Sequence, residues 1–279
     1  MPELPEVETI ARDLNAAGIA GRTVSCARVN WPRTIAEPSP AEFCRRMEKK
    51  RITAVGRRGK FLVFRLAGGQ ALLLHLRMSG RLHLVPAETP SSLHEHVILG
   101  FEDGSELRFH DTRKFGRIHL LDDAGRILGR LGPEPLEQGF TADRFARMLA
   151  TRSRLLKPLL LDQSFLAGLG NIYVDEALWE ARLHPQRQSD DLSGAEAKAL
   201  HAAIRRVLGR GIRNLGTSLG TGKANFYSVS RRRGRNSDEL KVFRRTGAPC
   251  PRCGSAIRRI IVGQRSTHIC PRCQQHREI

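Results

Sequence analysis

Between residues 20 and 125 the chain carries short apolar runs, FLVFRL, ALLLHL, RLHLV, HVILGF and RIHLL, divided by glycine, proline and charged turns. Runs of this length bounded by turn residues predict strands, and their number predicts a sandwich or barrel-like sheet. On either side of this stretch the pattern is helical. From Pro5 onward, Val7, Ile10, Ala11 and Leu14 fall at i, i+3, i+4 and i+7, which makes one apolar face. Pro5 pre-sets φ at the first helical position, and Glu6 and Glu8 sit where the helix dipole favours negative charge. After the Gly and Pro rich link LDDAGRILGRLGPEPLEQGF, helical spacing returns over 141–150, 155–164, 171–182 and 193–214. Thr141, Asn171 and Ser193 are placed as N-caps. From Gly216 to Asn236 the chain is polar, Gly-rich and basic, and it reads as a mobile loop. The organisation expected is α+β: a β-rich domain over 1–130 with flanking helices, a linker over 131–140, a helical domain over 141–236 that includes the loop 216–236, and a closing module over 237–279.

Charge changes this picture more than composition does. The 279 residues are 40% hydrophobic and 27% charged, which is globular, and no apolar run approaches the roughly 18 residues of a membrane span. The acidic first residues argue against a secretory signal. Lys and Arg number 47 against 28 Asp and Glu, a net charge of +19, which points to a polyanionic partner, nucleic acid first. With two Trp and two Tyr beside 11 Phe, no single-strand stacking platform is advertised.

Four of the six cysteines fall in the last thirty residues as Cys250-x2-Cys253 and, sixteen residues on, Cys270-x2-Cys273. Paired CxxC turns at that separation match a zinc knuckle, and four thiolates can close a tetrahedron around one structural Zn²⁺. The ion would stabilise a module too short to build its own core. IRRIIV and THIC can pair as a hairpin with GQRS at its turn, which puts Arg265 at a tip where it can meet a phosphate. Cys26 and Cys44 read as packed or surface thiols.

The first residues hold the remaining chemistry. Met1 precedes the small Pro2, so Met1 removal is expected and would leave proline with a free secondary α-amine. Such an amine titrates near 7.7 to 8.0, well below lysine, so more of it is a nucleophile at neutral pH. It can attack a sugar C1′ and form an iminium, which then acts as an electron sink for loss of phosphate from C3′ and C5′. The neighbouring Glu3 is placed to protonate or polarise the ring oxygen.

In order along the chain, MPELPEVETI, LHLRMSGRL, DTRKFG, GLGNIYVDEAL and the CxxC pair resemble formamidopyrimidine-DNA glycosylase, the bacterial base-excision repair family acting on oxidised purines. The resemblance covers nearly the whole chain. It implies a β-sandwich N-terminal domain, a helix-two-turn-helix domain over 141–236 and a zinc-ribbon-like β-hairpin. It implies Pro2 as the Schiff-base nucleophile, Glu3 as acid and base, and Lys60 reaching the damaged nucleotide and its phosphate. Met78 and Phe115 would fill the space of an extruded nucleotide, with Arg113 pairing the orphaned base. His75, His94, Asn171 and Arg265 would contact phosphate. The implied activity is glycosylase followed by AP lyase β,δ-elimination on double-stranded DNA carrying a damaged base or abasic site. One zinc on Cys250, Cys253, Cys270 and Cys273 would be the cofactor, with no membrane partner, a monomer as default, and a bacterial cytoplasmic, nucleoid-associated location.

Two departures from the family pattern bear on this. DTRKFG replaces the usual Asp-Pro-Arg-Arg-Phe-Gly with Thr112 and Lys114, which leaves the wedge residues in place. The segment GTGKANFYSVSRRRGRN lacks the usual Gly-Tyr-Phe stretch, so lesion preference stays open. The same chemistry on oxidised pyrimidines or other lesions is one alternative, and a non-catalytic damaged-DNA-binding protein is another.

Overall fold

The computed structural model describes residues 2–219, 226–230 and 232–276. Two compact units emerge, Met1–Arg130 with Ile212–Ser237, and Leu131–Gly211 with Asp238–Ile279. In the first unit, α1 (Leu4–Ala16), β1 (Val24–Val29), β2 (Ile35–Glu37) and α2 (Pro40–Met47) are followed by β3 (Ile52–Arg58), β4 (Phe61–Leu66) and β5 (Ala71–His75). Then come β6 (Arg81–Pro86), β7 (Glu95–Phe101), β8 (Ser105–His110), β9 (Arg117–Leu121) and the short α3 (Gly125–Leu128). One sheet runs β1-β7-β8-β6 and the other β2-β9-β5-β4-β3. All pairs are antiparallel except β2 with β9.

Of the sandwich or barrel-like sheet expected from the apolar runs, the sandwich is present, and its layering explains why those runs do not alternate. Leu72 and Leu74 of β5 face the inter-sheet core with Leu62 and Phe64, Val97, Leu99, Leu107 and Phe109. Ala71 and Leu73 face the other way, with Val63 and Leu121, under Ile127 and Leu128 of α3. A strand covered on both faces needs apolar residues at every position. Val7, Ile10 and Leu14 of α1 and Phe43 and Met47 of α2 close the core. Ser39 caps α2 by accepting from the Glu42 amide, with Pro40 at its start. The fully buried Arg108 is the polar exception: its guanidinium reaches Glu95 and Glu106 and the carbonyls of Ala87, Thr89 and Pro90, so it fixes that loop.

The second unit holds α4 (Ala142–Ala150), α5 (Leu156–Leu161), α6 (Asn171–Glu180) and, as far as Gly211, α7 (Gly194–Arg213), then the hairpin β10 (Arg258–Val262) and β11 (Arg265–Ile269). The Thr141 hydroxyl caps α4 by accepting from Arg144 N–H. At the start of α7, Ser193 and Glu196 exchange hydrogen bonds as a capping box. At α6 the sequence expectation is off by one: Gly170 is the N-cap and Asn171 is the first helical residue.

Two boundaries also differ from the sequence reading. Residues 131–140, expected to be a linker, pack within the second unit: Gly132 N–H donates to Gln163 O at 2.9 Å, and Phe140 is buried. Residues 212–237, of which the sequence reading groups 212–236 with the helical domain and 237 with the closing module, pack within the first unit. The physical reason is two acids on α1. Glu6 accepts from Thr217 N–H at 2.7 Å, and Asp13 accepts from Ser230 N–H at 3.1 Å and from Arg232 at 2.5 Å. Burial would raise Asp13, but the Ser228 and Ser230 hydroxyls, the Ser230 amide and Arg232 outweigh it and hold the carboxyl below its usual range. The centre of the expected mobile loop, 220–225 with 231, lies outside the described residues. Among the described residues, no helix is long and apolar enough to cross a membrane.

Candidate functional site

Pro2 is buried, and Glu3 is 1% exposed at the N-cap of α1. Glu3 and Glu6 form a capping box in which Glu6 Oε2 accepts from Glu3 N–H at 2.8 Å. The other oxygen of Glu6 holds Thr217 N–H. One carboxylate thus fixes both the N-terminal backbone and the start of the 212–237 segment. Gly216 fits that junction because its φ is +83° and a Cβ would stand 2.9 Å from Glu6 Cγ. A carboxylate at the positive end of a helix beside a buried proline can hand a proton to, or take one from, a group bound at that nitrogen.

Lys60 lies in the turn from β3 to β4 after Gly59, whose φ is +55°, and its side chain is largely buried. His75 ends β5 directly opposite Phe61, ring against ring edge at 4.8 Å. Its Nδ1 accepts from Arg77 N–H at 3.0 Å. Burial, with the positive charges of Arg77 and Lys60, pushes the His75 pKa down to about 3. His75 is therefore neutral near pH 7, and because Nδ1 accepts, the ring hydrogen sits on Nε2. It can donate to an anion without carrying charge.

The expected wedge residues occupy two surface loops of the first unit. Met78 is 43% and Phe115 47% exposed, two of only four exposed large hydrophobics among the described residues. The Arg113 guanidinium lies 4.9 Å from the Phe115 ring centroid. Lys114, one of the two departures in DTRKFG, has φ +59° and sets its ammonium 3.8 Å over Trp31. His94 leads into β7, its ring edge-on to His110 at 5.6 Å and its buried Nδ1 without a partner. Its carbonyl accepts from Asp111 N–H at 2.9 Å.

Asn171 and Arg265 belong to the second unit, and Asn171 is tied to the residue that follows Arg265. Asn171 Nδ2 donates to Ser266 O at 2.9 Å, and the buried Lys157 donates to the same oxygen at 2.9 Å. The Asn171 amide nitrogen is thus engaged by the hairpin. Arg265 is exposed and opens β11 opposite Val262, directly after a turn of Gly263 and Gln264 alone, where the sequence reading takes the turn as GQRS with Arg265 at its tip.

The sequence reading missed the acids that hold this arrangement. Asp175 accepts from Lys157 Nζ at 2.5 Å and from His268 N–H at 2.9 Å, which joins α5, α6 and β11. Glu176 accepts from the amides of Lys241, Val242 and Phe243, while burial raises its pKa. Two acids on a helix otherwise apolar nearly all round are the available signal, since buried carboxylates require partners.

The four knuckle sulfurs lie within 4.8 Å of one another, with Cys250 to Cys273 at 3.9 Å and Cys253 to Cys270 at 3.4 Å. Zinc–thiolate bonds of about 2.3 Å at tetrahedral angles put sulfurs about 3.8 Å apart, so this donor set fits one structural zinc. Four thiolates leave no open position for catalysis. Trp179 Nε1–H donates to Cys250 Sγ at 3.4 Å, and Arg252, 4.1 Å from the Trp179 ring centroid, donates to Trp179 O at 3.0 Å. The knuckle is stapled to the end of α6.

Three family models match the chain. The formamidopyrimidine-DNA glycosylase N-terminal domain covers residues 1–118, the formamidopyrimidine-DNA glycosylase H2TH domain 131–222, and a zinc finger found in FPG and IleRS 247–275. The formamidopyrimidine-DNA glycosylase of Protochlamydia amoebophila is 49% identical over 275 residues, 99% of this chain and 100% of that protein. Among solved structures, a Lactococcus lactis FPG mutant in complex with a Fapy-dG containing DNA superposes with a TM-score of 0.91 at 35% identity, covering 99% of this chain and 100% of that one. Lactococcus lactis Fpg with an abasic site containing DNA gives 0.89 at 35% identity over 98% of this chain and 100% of its own.

Proposed function

The chain belongs to the formamidopyrimidine-DNA glycosylase family, and from that premise we propose that it removes oxidised purines, formamidopyrimidines foremost, from duplex DNA and then cuts the strand at the abasic site. The observation that carries this reading is the start of α1, where Pro2 and Glu3 are buried and the backbone between them and α1 is clamped by Glu6. With Met1 removed, the Pro2 nitrogen lone pair forms a bond to C1′ as the C1′–base bond breaks; the base leaves with that bond's electrons and takes up the proton the nitrogen gives up. Glu3 delivers a proton to the ring oxygen, the sugar opens, and an iminium forms whose positive charge is fixed because the nitrogen is secondary. Loss of a proton from C2′ then expels the 3′ phosphate, and a second elimination expels the 5′ phosphate.

The other groups bind and orient. Lys60 and the neutral Nε2–H of His75 hold phosphate of the damaged nucleotide, with Arg265, His94 and Asn171 on further phosphates. Met78 and Phe115 occupy the vacated stack and Arg113 meets the orphaned base, offsetting the few kcal/mol, about 2 to 4, that extrusion costs. Zinc, bound by the four cysteines, supplies folding energy to the hairpin that presents Arg265.

The test is base release from matched duplexes carrying a formamidopyrimidine, 8-oxoguanine or thymine glycol. Release of the oxidised purines supports the reading. Release of thymine glycol alone would move it to oxidised pyrimidines, and tight binding without release from any duplex would leave a damaged-DNA-binding protein.

A further inference from the structure

The two wedge loops are tied to each other before any DNA arrives. Asp111, fully buried between β8 and the 112–116 turn, accepts at Oδ2 from Gly116 N–H at 2.7 Å and at Oδ1 from Arg113 N–H at 3.2 Å. The Ser79 hydroxyl, from the loop that carries Met78, donates to the same Oδ1 and accepts from Arg113 N–H at 3.2 Å. Both loops also close on one ring. A Cβ on Gly80 would stand 2.9 Å from Phe109 Cε2, and one on Gly116 would stand 2.3 Å from Phe109 Cζ. Neither loop can shift toward Phe109, and Ser79 ties the two across the gap.

The geometry points to Ser79 and Asp111 as positioning residues that weld the Met78 loop and the Arg113–Phe115 loop into a single preassembled wedge, so that Met78 and Phe115 enter the duplex together. This rests on the glycosylase reading and deepens it. Independent loops would each lose their own ordering entropy on insertion, whereas a joined pair has already lost it. Lys114 on Trp31 anchors the outer end of the same assembly.

The test is a double-mutant cycle made in two backgrounds. Met78→Ala, Phe115→Ala and the pair are placed in the native chain and in Ser79→Ala. That variant removes the cross-loop link while leaving Asp111 bonded to the Arg113 and Gly116 amides. Two readouts are taken: single-turnover release of a formamidopyrimidine, and Kd for a duplex carrying a tetrahydrofuran abasic analogue. In the native background the pair should lose little more than the worse single change, because a half wedge no longer inserts. In Ser79→Ala the two losses should multiply, and the coupling factors of the two backgrounds should differ about tenfold, the size seen between groups that act as a unit. Ser79→Thr, which keeps the hydroxyl, should restore the native coupling. Equal coupling in both backgrounds, whether none or large, overturns the inference. If the native chain binds the analogue but releases no base, the glycosylase reading fails while the Kd cycle still decides whether the wedge is one piece.

Discussion

Replacing Asp175 by alanine should unlock the hairpin that carries Arg265. The Asp175 and Lys157 side chains are both 0% exposed and 2.5 Å apart, and the second Asp175 oxygen accepts from His268 N–H. Breaking a buried pair from one side costs about 3 to 5 kcal/mol, because the remaining charge keeps its desolvation penalty. The lost acceptor for His268 N–H costs about 1 to 3 kcal/mol and overlaps with that figure. Taking about 3 kcal/mol as the floor, opening of β11 should become roughly a hundredfold more frequent. Asp175→Asn keeps an acceptor for the amide and removes only the charge, so it should fall below the alanine variant in damage. Lys157→Met with Asp175→Leu removes both charges and should recover most of the loss, leaving the cost of one orphaned amide. Native-state hydrogen exchange at the amides of Thr267 and His268 reads this directly. Exchange in the alanine variant within about threefold of native, well short of that floor, or a double variant as damaged as the single, would refute the reasoning. DNA binding should follow, with the salt slope falling by about one if Arg265 makes the phosphate contact proposed for it.

Acid should destabilise the first unit through His75, whose folded pKa of about 3 lies below its ordinary 6.5. The unfolded chain takes up that proton first, so stability present above pH 6.5 is lost as pH falls toward 3; in the unfolding free energy against pH, His75→Gln should flatten that decline. For the same reason DNA affinity should show no step near pH 6.5 that His75→Gln abolishes. Chelating zinc under reducing conditions should unfold the knuckle, change the emission of Trp179 beside Cys250, and weaken DNA binding together, with readdition restoring all three. Gly216→Ala should be more harmful than a surface glycine substitution, by about 1 to 3 kcal/mol in thermal or denaturant unfolding, since it needs a strained φ of +83° and a Cβ against Glu6.

What the sequence made legible follows from the range of the forces involved. Strands divided by turn residues and helices capped by Thr141 and Ser193 are local facts, and they appear where local rules put them. The zinc knuckle was equally legible, because thiolate spacing along the chain nearly dictates tetrahedral closure. Helix α2 was open to reading in PSPAEF, where Ser39, Pro40 and Glu42 form a start signal, yet the surrounding apolar runs masked it. The placing of residues 212–237 was not legible, since it depends on Glu6 and Asp13, more than 200 residues away in the chain. Burial of Asp175 and Glu176 inside α6 is likewise a tertiary matter. Met78 and Phe115 could be singled out only through resemblance: nothing local in the sequence distinguishes an exposed apolar side chain from a core one, and their exposure is a tertiary fact.

The central claim is that the Pro2 nitrogen attacks the sugar, and borohydride trapping tests it most directly. The mature protein, a Pro2→Gly variant and a form with an uncleaved N-terminal extension would each be mixed with a duplex carrying a central abasic site and with one carrying a formamidopyrimidine. The account predicts a covalent adduct on both duplexes with the mature protein, weakened by glycine, abolished by the extension, and mapped by mass to residue 2. An adduct that survives the extension, or none on the abasic duplex with the mature protein, would contradict it.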